Sequence, residues 1–299
     1  MNNQKIALLT GVTGFIGSHL AENLLDDGWT VHCLIRSHSK IGIIQERLHD
    51  RLHVHYLLEH NENLNEIMAS VQPVVVFHLA SLFLAQHEPK DITNLIFSNV
   101  TFGTQLVDAM VKNNVYYLVN TGTSWQNYQN AVYNPVCLYA ATKEAFCTML
   151  KFYQETTDLK VITLKLFDTY GKHDIRPKLF TLLHRLAVEK STMDMSAGEQ
   201  YIDLVHVDDV VAAFILAAEY LMTNAKKYMG EYAVSSLNPI KLRDLVVLYE
   251  TVVEQTLNIN WGARPYRPRE VMMPWNNGHI LPNWAPMISL EKGIHDILK

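Results

Sequence analysis

The 299-residue chain predicts a doubly wound parallel α/β sheet with a smaller, interwoven C-terminal lobe, on three observations. Short apolar, β-rich runs alternate with helical patterns through the first two-thirds of the chain. A glycine-rich turn joins the first run to the first helix. The alternation then breaks down after Gly171, where most of the prolines and Trp261, Trp275 and Trp284 collect.

The expected strands are Lys5–Thr10, Thr30–Ile35, Leu52–Leu57, Val74–Leu79, Tyr116–Asn120 and Val161–Phe167. Between them, Ser18–Asp27, Asn99–Asn113 and Leu138–Thr156 carry helical periodicity. Apolar strands separated by helices imply a sheet covered on both faces. We expect residues 1–171 to form the sheet domain, with 197–223 returning to it through a helix at Asp208–Met222. Residues 172–196 and 224–299 are expected to form the smaller lobe, with no linker between the two.

Apolar residues make up 48% of the chain, enough for a sizeable core and too many for disorder. A formal net charge of −5 argues against nucleic acid as a partner. Cys33, Cys137 and Cys147 are odd in number and lack paired spacing, which excludes a disulfide framework and a thiolate metal site. His53, His55 and His60 lack a neighbouring cysteine or acid at ligand spacing, so no metal is expected. The N-terminus shows no cleavable signal pattern, and no apolar stretch is long enough to span a membrane. A cytoplasmic protein is expected.

Thr10-Gly11-Val12-Thr13-Gly14-Phe15-Ile16-Gly17 follows the first strand and opens the first helix. Such glycines permit a tight turn, close approach of a pyrophosphate and close helix–strand packing, the phosphate-binding pattern of a Rossmann-type sheet. Thr13, Phe15 and Ile16 lie within the turn and join the expected cofactor contacts. Arg36-Ser37 ends the second strand nineteen residues after Gly17, where a chain using NAD usually places a carboxylate. A guanidinium suits a 2′-phosphate, so NADP is expected, with NAD as the alternative.

Tyr139 and Lys143, four apart at the start of a helix, share one face. An ammonium near the phenol favours its ionised form. Thr121 and Thr123 end the preceding strand and point to one side, so either hydroxyl could bond a carbonyl or developing alkoxide.

Taken together, the chain resembles an extended short-chain dehydrogenase/reductase over nearly its whole length. The matching stretches are the Gly11/Gly14/Gly17 turn, His78-Leu79-Ala80-Ser81, Asn99, Thr121–Ser124 and Tyr139-xxx-Lys143. Lys165-Leu166-Phe167-Asp168-Thr169-Tyr170-Gly171 and Asp203–Asp209 continue the likeness. Gly-Glu-Gln before Asp203 and Tyr266-Arg267-Pro268-Arg269-Glu270 resemble the CDP-abequose/CDP-paratose synthase-like 4-ketoreductases.

The resemblance implies Tyr139 as proton donor, Lys143 as its partner and nicotinamide-ribose ligand, and Thr121 as the carbonyl-orienting hydroxyl, with Thr123 as competitor. It implies Leu79, Ala80, Ser81 and Asn99 around the cofactor, and Trp125, Phe167, Asp168 and Arg267 around the substrate. Arg267 would meet a nucleotide-sugar pyrophosphate. The implied reaction is NADPH-dependent reduction of a nucleotide-linked 4-keto-6-deoxysugar, in deoxysugar biosynthesis. A 4-epimerase holding NAD is the alternative, and a non-catalytic NADP-binding protein a third reading. Packing of the Asn99–Asn113 and Leu138–Thr156 helices in relatives implies a homodimer. Sugar dehydratases of the family carry Thr-Asp-Glu at the place matched to Thr121-Gly122-Thr123. No acid stands there, and dehydration is not expected. The arginine common before the Asp203 position is Ile202 here.

Overall fold

The computed structural model describes residues 5–37, 39 and 50–298. The first four residues, on which the reading of the N-terminus partly rests, lie outside them.

The first half alternates as expected: β1 (Ile6–Thr10), α1 (Phe15–Asp26), β2 (Thr30–Arg36), β3 (Leu52–Leu57), α2 (Leu64–Val71) and β4 (Val75–His78). Next come α3 (Ile92–Ile96), α4 (Phe102–Lys112), β5 (Tyr117–Thr123), α5 (Leu138–Thr156) and β6 (Lys160–Leu166). Successive strand residues point to opposite faces, so β1 sends Leu8 and Leu9 into different cores. Leu9, Phe77, Val119 and Ile162 join Leu20 and Phe214 in one core. Leu8, Val76, Leu118 and Val161 join Met68, Leu106 and Phe146 in the other. Each fully buried large side chain of these cores contributes about 1.5–3 kcal/mol.

The second half continues with β7 (Asp168–Tyr170), α6 (Leu179–Glu189), β8 (Thr192–Met195), β9 (Tyr201–Ile202), β10 (Leu204–His206) and α7 (Val207–Tyr228). It ends with β11 (Gly230–Val234), β12 (Ile240–Lys241), α8 (Leu242–Val253), β13 (Asn258–Trp261) and α9 (Leu290–Ile297). Seven strands form the main sheet in the order β11-β6-β5-β4-β1-β2-β3. All its pairings are parallel. The order reverses between β1 and β4, and the crevice at such a switch point is where doubly wound sheets take ligands. A third core gathers Tyr170, Phe180, Leu183, Leu245, Tyr249 and Ile294, all from the C-terminal part.

Two elements differ from the sequence expectation. Gly230–Val234, inside the stretch expected to build the smaller lobe, is the seventh strand of the main sheet, paired with β6. Its five residues include Gly230 and the charged Glu231, as suits an edge strand, and so lack an apolar run. The expected single helix Asn99–Asn113 is instead α4 preceded by a wide π-type turn at Phe97–Thr101. Such turns recur at functional sites, and this one carries buried Asn99. Among the described residues no helix is long and apolar enough to cross a membrane.

Candidate active site

The glycine turn lies at the switch point. Gly11 has φ +76°, and a Cβ there would meet the Ala80 nitrogen at 2.6 Å and the Leu79 carbonyl carbon at 2.7 Å. A Cβ on Gly17 would collide with the Gly11 carbonyl oxygen. Helix α1 starts at Gly14 with no side-chain cap and no acid in its first turn. Its first N–H groups and positive dipole end are thus left for an anion. Thr13 is exposed, and Phe15 and Ile16 are half-buried at the mouth of this turn. The Arg176 guanidinium covers the Phe15 ring at 4.5 Å. These features fit a dinucleotide pyrophosphate.

Across the switch point, the Thr10 hydroxyl lies 2.9 Å from His78 Nδ1 and accepts from the Ala80 N–H at 3.1 Å. Burial, with the Lys143 charge beside it, pushes His78 down to about 3. Ser81 donates to Asn99 Oδ1 at 3.1 Å, which also accepts from the Leu82 N–H at 2.8 Å. Asn99 Nδ2 donates to the Leu82 carbonyl at 3.0 Å and the Thr142 hydroxyl at 2.9 Å. All four bonds of the Asn99 carboxamide go to protein. Asn99, expected among the cofactor contacts, therefore stands behind the site, tying the β4 loop to α5.

Tyr139 opens α5, with the hydroxyls of Ser81 and Thr123 within reach of its own. Burial pushes the phenol well above its ordinary range, and those two hydroxyls pull it partway back. Thr123 is thus the threonine at the phenol, whereas the resemblance favoured Thr121. Thr121 lies two residues deeper on β5, and its hydroxyl is buried without a partner among the described residues. Lys143 is 2% exposed, and burial lowers it to about 8. Its charge bears on His78, and Cys147 acts on it in the opposite direction to burial. The expected electrostatic help from Lys143 to Tyr139 is not among the influences on the phenol. A buried ammonium with no ion pair among the described residues suits the polar end of a cofactor such as a ribose.

Arg36 is exposed at the end of β2, with Ser37 beside it. Its guanidinium has no partner among the described residues.

A cavity opens from Ser124 and Trp125, directly after Thr123. Phe167, Asp168 and Arg267 line it, together with Asn127, Tyr201, Ile202, Asp203, Glu270, Met273 and Trp275. Arg267 grips Glu270 through Nε at 3.0 Å and Nη2 at 2.8 Å and lies 5.8 Å over the Trp125 ring. Burial alone would raise the Glu270 carboxyl, yet the Arg267 fork outweighs it and holds it below its ordinary value. Asp168 meets Lys178 at 3.4 Å. Asp203 accepts from Ser235 and from the Ser236 N–H at 2.5 and 2.8 Å. Sequence reasoning missed Asn127, Glu270 and the buried Lys165 that bonds Asn127. Glu270, three residues from Arg267, had a readable pairing signal; Asn127 and Lys165 had none.

The chain matches the family described as the NAD dependent epimerase/dehydratase family over residues 7–229. It is 26% identical to the CDP-abequose synthase of Salmonella muenchen over 300 aligned positions, covering 99% of this chain and 97% of that protein. It is 27% identical to the UDP-glucose 4-epimerase of Mycolicibacterium smegmatis over 70% of this chain and 72% of that protein. Among solved structures it is similar to the UDP-glucose-4-epimerase of Stenotrophomonas maltophila with bound NAD and formylated UDP-arabinopyranose. That likeness has a TM-score of 0.86 at 18% identity, over 98% of this chain and 96% of that one. The phosphate-binding turn at the switch point and the matched span agree: this chain belongs to the NAD dependent epimerase/dehydratase family of enzymes.

Proposed function

We propose that the chain is an NADPH-dependent 4-ketoreductase of a nucleotide-linked 4-keto-6-deoxysugar, acting in the cytoplasm in deoxysugar biosynthesis. The observation that carries this reading is the buried Tyr139 phenol, near Ser81 and Thr123 between the glycine turn and the cavity entered at Ser124. The similarity to CDP-abequose synthases over nearly the full length supports the deoxysugar class.

When bound, a nicotinamide dinucleotide supplies the hydride. Gly11, Gly14, Gly17 and the α1 N-terminus hold its pyrophosphate, Arg36 and Ser37 its 2′-phosphate, and Lys143 its nicotinamide ribose. Thr123 donates toward the sugar carbonyl oxygen, and Tyr139 delivers the proton that the new hydroxyl needs. Burial keeps the phenol protonated and therefore able to donate at neutral pH. Arg267 offers the nucleotide pyrophosphate the donors left free by Glu270. With Thr123 at the phenol, the next residues are Ser124 and Trp125. Neither is an acid, so dehydration remains disfavoured.

A second reading, a 4-epimerase with tightly held NAD, is favoured by the similarity to the UDP-glucose 4-epimerase of Mycolicibacterium smegmatis. The test follows NADPH absorbance with CDP-, dTDP-, GDP- and UDP-linked 4-keto-6-deoxysugars. Consumption with one of them supports the reductase; conversion without consumption supports the epimerase. The same material tests a homodimer through α4 and α5, whose exposed Met149 and Phe152 would be covered.

A further inference from the structure

Lys165 stands inside the main sheet on β6, with 4% of its side chain exposed. A buried ammonium is costly unless its charge and donors are met. Its Nζ lies 2.7 Å from Glu231 Oε2 on β11 and donates to Asn127 Oδ1 at 2.8 Å. It also sits 5.2 Å from the centre of the Trp275 ring. Asn127 donates onward to the carbonyls of Ala131 and Val132 at 3.0 and 3.1 Å. Trp275 stacks on Phe167, with ring centres 6.2 Å apart and planes within 8°. Asn127, Phe167 and Trp275 line the cavity, and Lys165 stands behind them.

The register places this assembly next to the chemistry. Lys165 pairs with Gly122, and Leu166 with Thr123. A Cβ on Gly122 would approach Lys165 Cγ at 3.0 Å, so the glycine leaves room for the lysine stem.

We infer that Lys165 is a positioning residue of this cavity: its ammonium fixes the Asn127 carboxamide and the Trp275 indole, setting the wall beside Thr123 before ligand arrives. An apolar side chain of similar volume would fill the same space at equal or lower cost, so stability alone does not require the ion. What the charge adds is direction, since a cation draws both an amide oxygen and the face of an indole toward itself. A pre-set wall spares the ordering cost of binding. The role in sugar binding rests on the reading that the cavity takes a nucleotide-linked sugar.

The test compares Lys165→Met and Lys165→Arg in the full chain. In ligand-free protein, acrylamide quenching and near-ultraviolet circular dichroism of Trp275 are read as differences from the matching Trp275→Phe proteins. Lys165→Met should expose and loosen Trp275, and Lys165→Arg should restore most of the wild-type signal. Calorimetry then uses CDP-glucose and UDP-glucose as sugar-nucleotide probes, CDP and UDP as nucleotide probes, and NADPH. Lys165→Met should weaken the sugar nucleotide that wild type binds by about tenfold or more, the worth of a charge-assisted bond. CDP, UDP and NADPH should change by no more than about twofold, as expected of independent sites. An unmoved Trp275 signal, or equal losses for NADPH and sugar nucleotide, overturns the inference. If wild type binds no sugar nucleotide, the substrate reading fails, and the Trp275 comparison alone decides the positioning role. Should Lys165→Met not fold, Glu231→Gln decides on the same readouts: a smaller shift in the same direction supports the role, and no shift overturns it.

Discussion

The two ends of the proposed catalytic crevice, its dinucleotide end and its substrate end, are built from different materials. The dinucleotide end is made of backbone: glycines that exclude a Cβ, a helix start without a cap, and a crossover at Leu79-Ala80. The substrate end is made of side chains held in ion pairs, Arg267 with Glu270, Lys165 with Glu231 and Lys178 with Asp168. A backbone cradle recognises what all its ligands share, a pyrophosphate, and fails abruptly when a methyl is added. A side-chain wall can be retuned one residue at a time.

Tyr139 stands between the two ends, and its replacement should have the largest effect. Tyr139→Phe removes the proton and little else, so turnover should fall by about 10²–10⁴-fold while NADPH binding holds. Thr123→Val, which removes the hydroxyl beside the phenol, should cost on the order of 3 kcal/mol in the barrier, a hundredfold or more. Thr121→Val should cost less, because Thr121 does not reach Tyr139. Single-turnover rates with the three proteins rank them, and a Thr121→Val slower than Thr123→Val would return the orienting role to Thr121.

The contrast breaks most directly at the glycines. Gly17→Ala forces the Gly11 carbonyl aside, and overpacking of this kind costs about 1–3 kcal/mol. NADPH affinity, read by calorimetry, should drop by roughly tenfold to a hundredfold. Arg267→Ala, at the other end, should leave that affinity unchanged. A Gly17→Ala protein with normal NADPH binding would mean that the turn is structural only.

If Arg36 holds a 2′-phosphate as proposed, Arg36→Asp replaces its donor with a repelling charge. The NADPH-over-NADH preference should fall by about tenfold or more, the worth of a charge-assisted bond. Equal use of both cofactors by the unaltered enzyme would remove Arg36 from the site.

The smallest effect is on stability. Burial lowers Lys143 from an ordinary lysine value to about 8, so the folded state binds fewer protons than the unfolded state between about 8 and the ordinary value. Folding is therefore penalised below about pH 8, and the penalty fades as pH rises. Lys143→Met should raise the melting temperature of cofactor-free protein at pH 7 and lose that advantage at pH 10, while abolishing turnover. Melting curves at the two pH values check this, and a destabilised Lys143→Met at pH 7 would contradict it.

The backbone end was legible in the sequence because its residues are contiguous. Gly11, Gly14 and Gly17 sit between a strand and a helix, and α5 has the bounds its periodicity predicts. The substrate end draws on residues 124–128, 167–168, 200–203 and 267–275, which only folding brings together. No spacing links Lys165 to Asn127 or Trp275. β11 escaped because edge strands tolerate polar residues, and that blurs alternation. The choice between Thr121 and Thr123 turns on which residue of a strand end reaches a helix start. Two residues on one face look alike in sequence, and only the reach of Tyr139 separates them.

The central claim is net reduction of a keto-sugar, and the stoichiometry of the wild-type reaction tests it most directly. With the accepted nucleotide-linked 4-keto-6-deoxysugar, NADPH loss by absorbance and 4-hydroxy product by chromatography are measured in one sample. The account predicts one NADP⁺ for each reduced sugar. Sugar converted with no net NADPH consumed would contradict it and assign the chain to epimerisation.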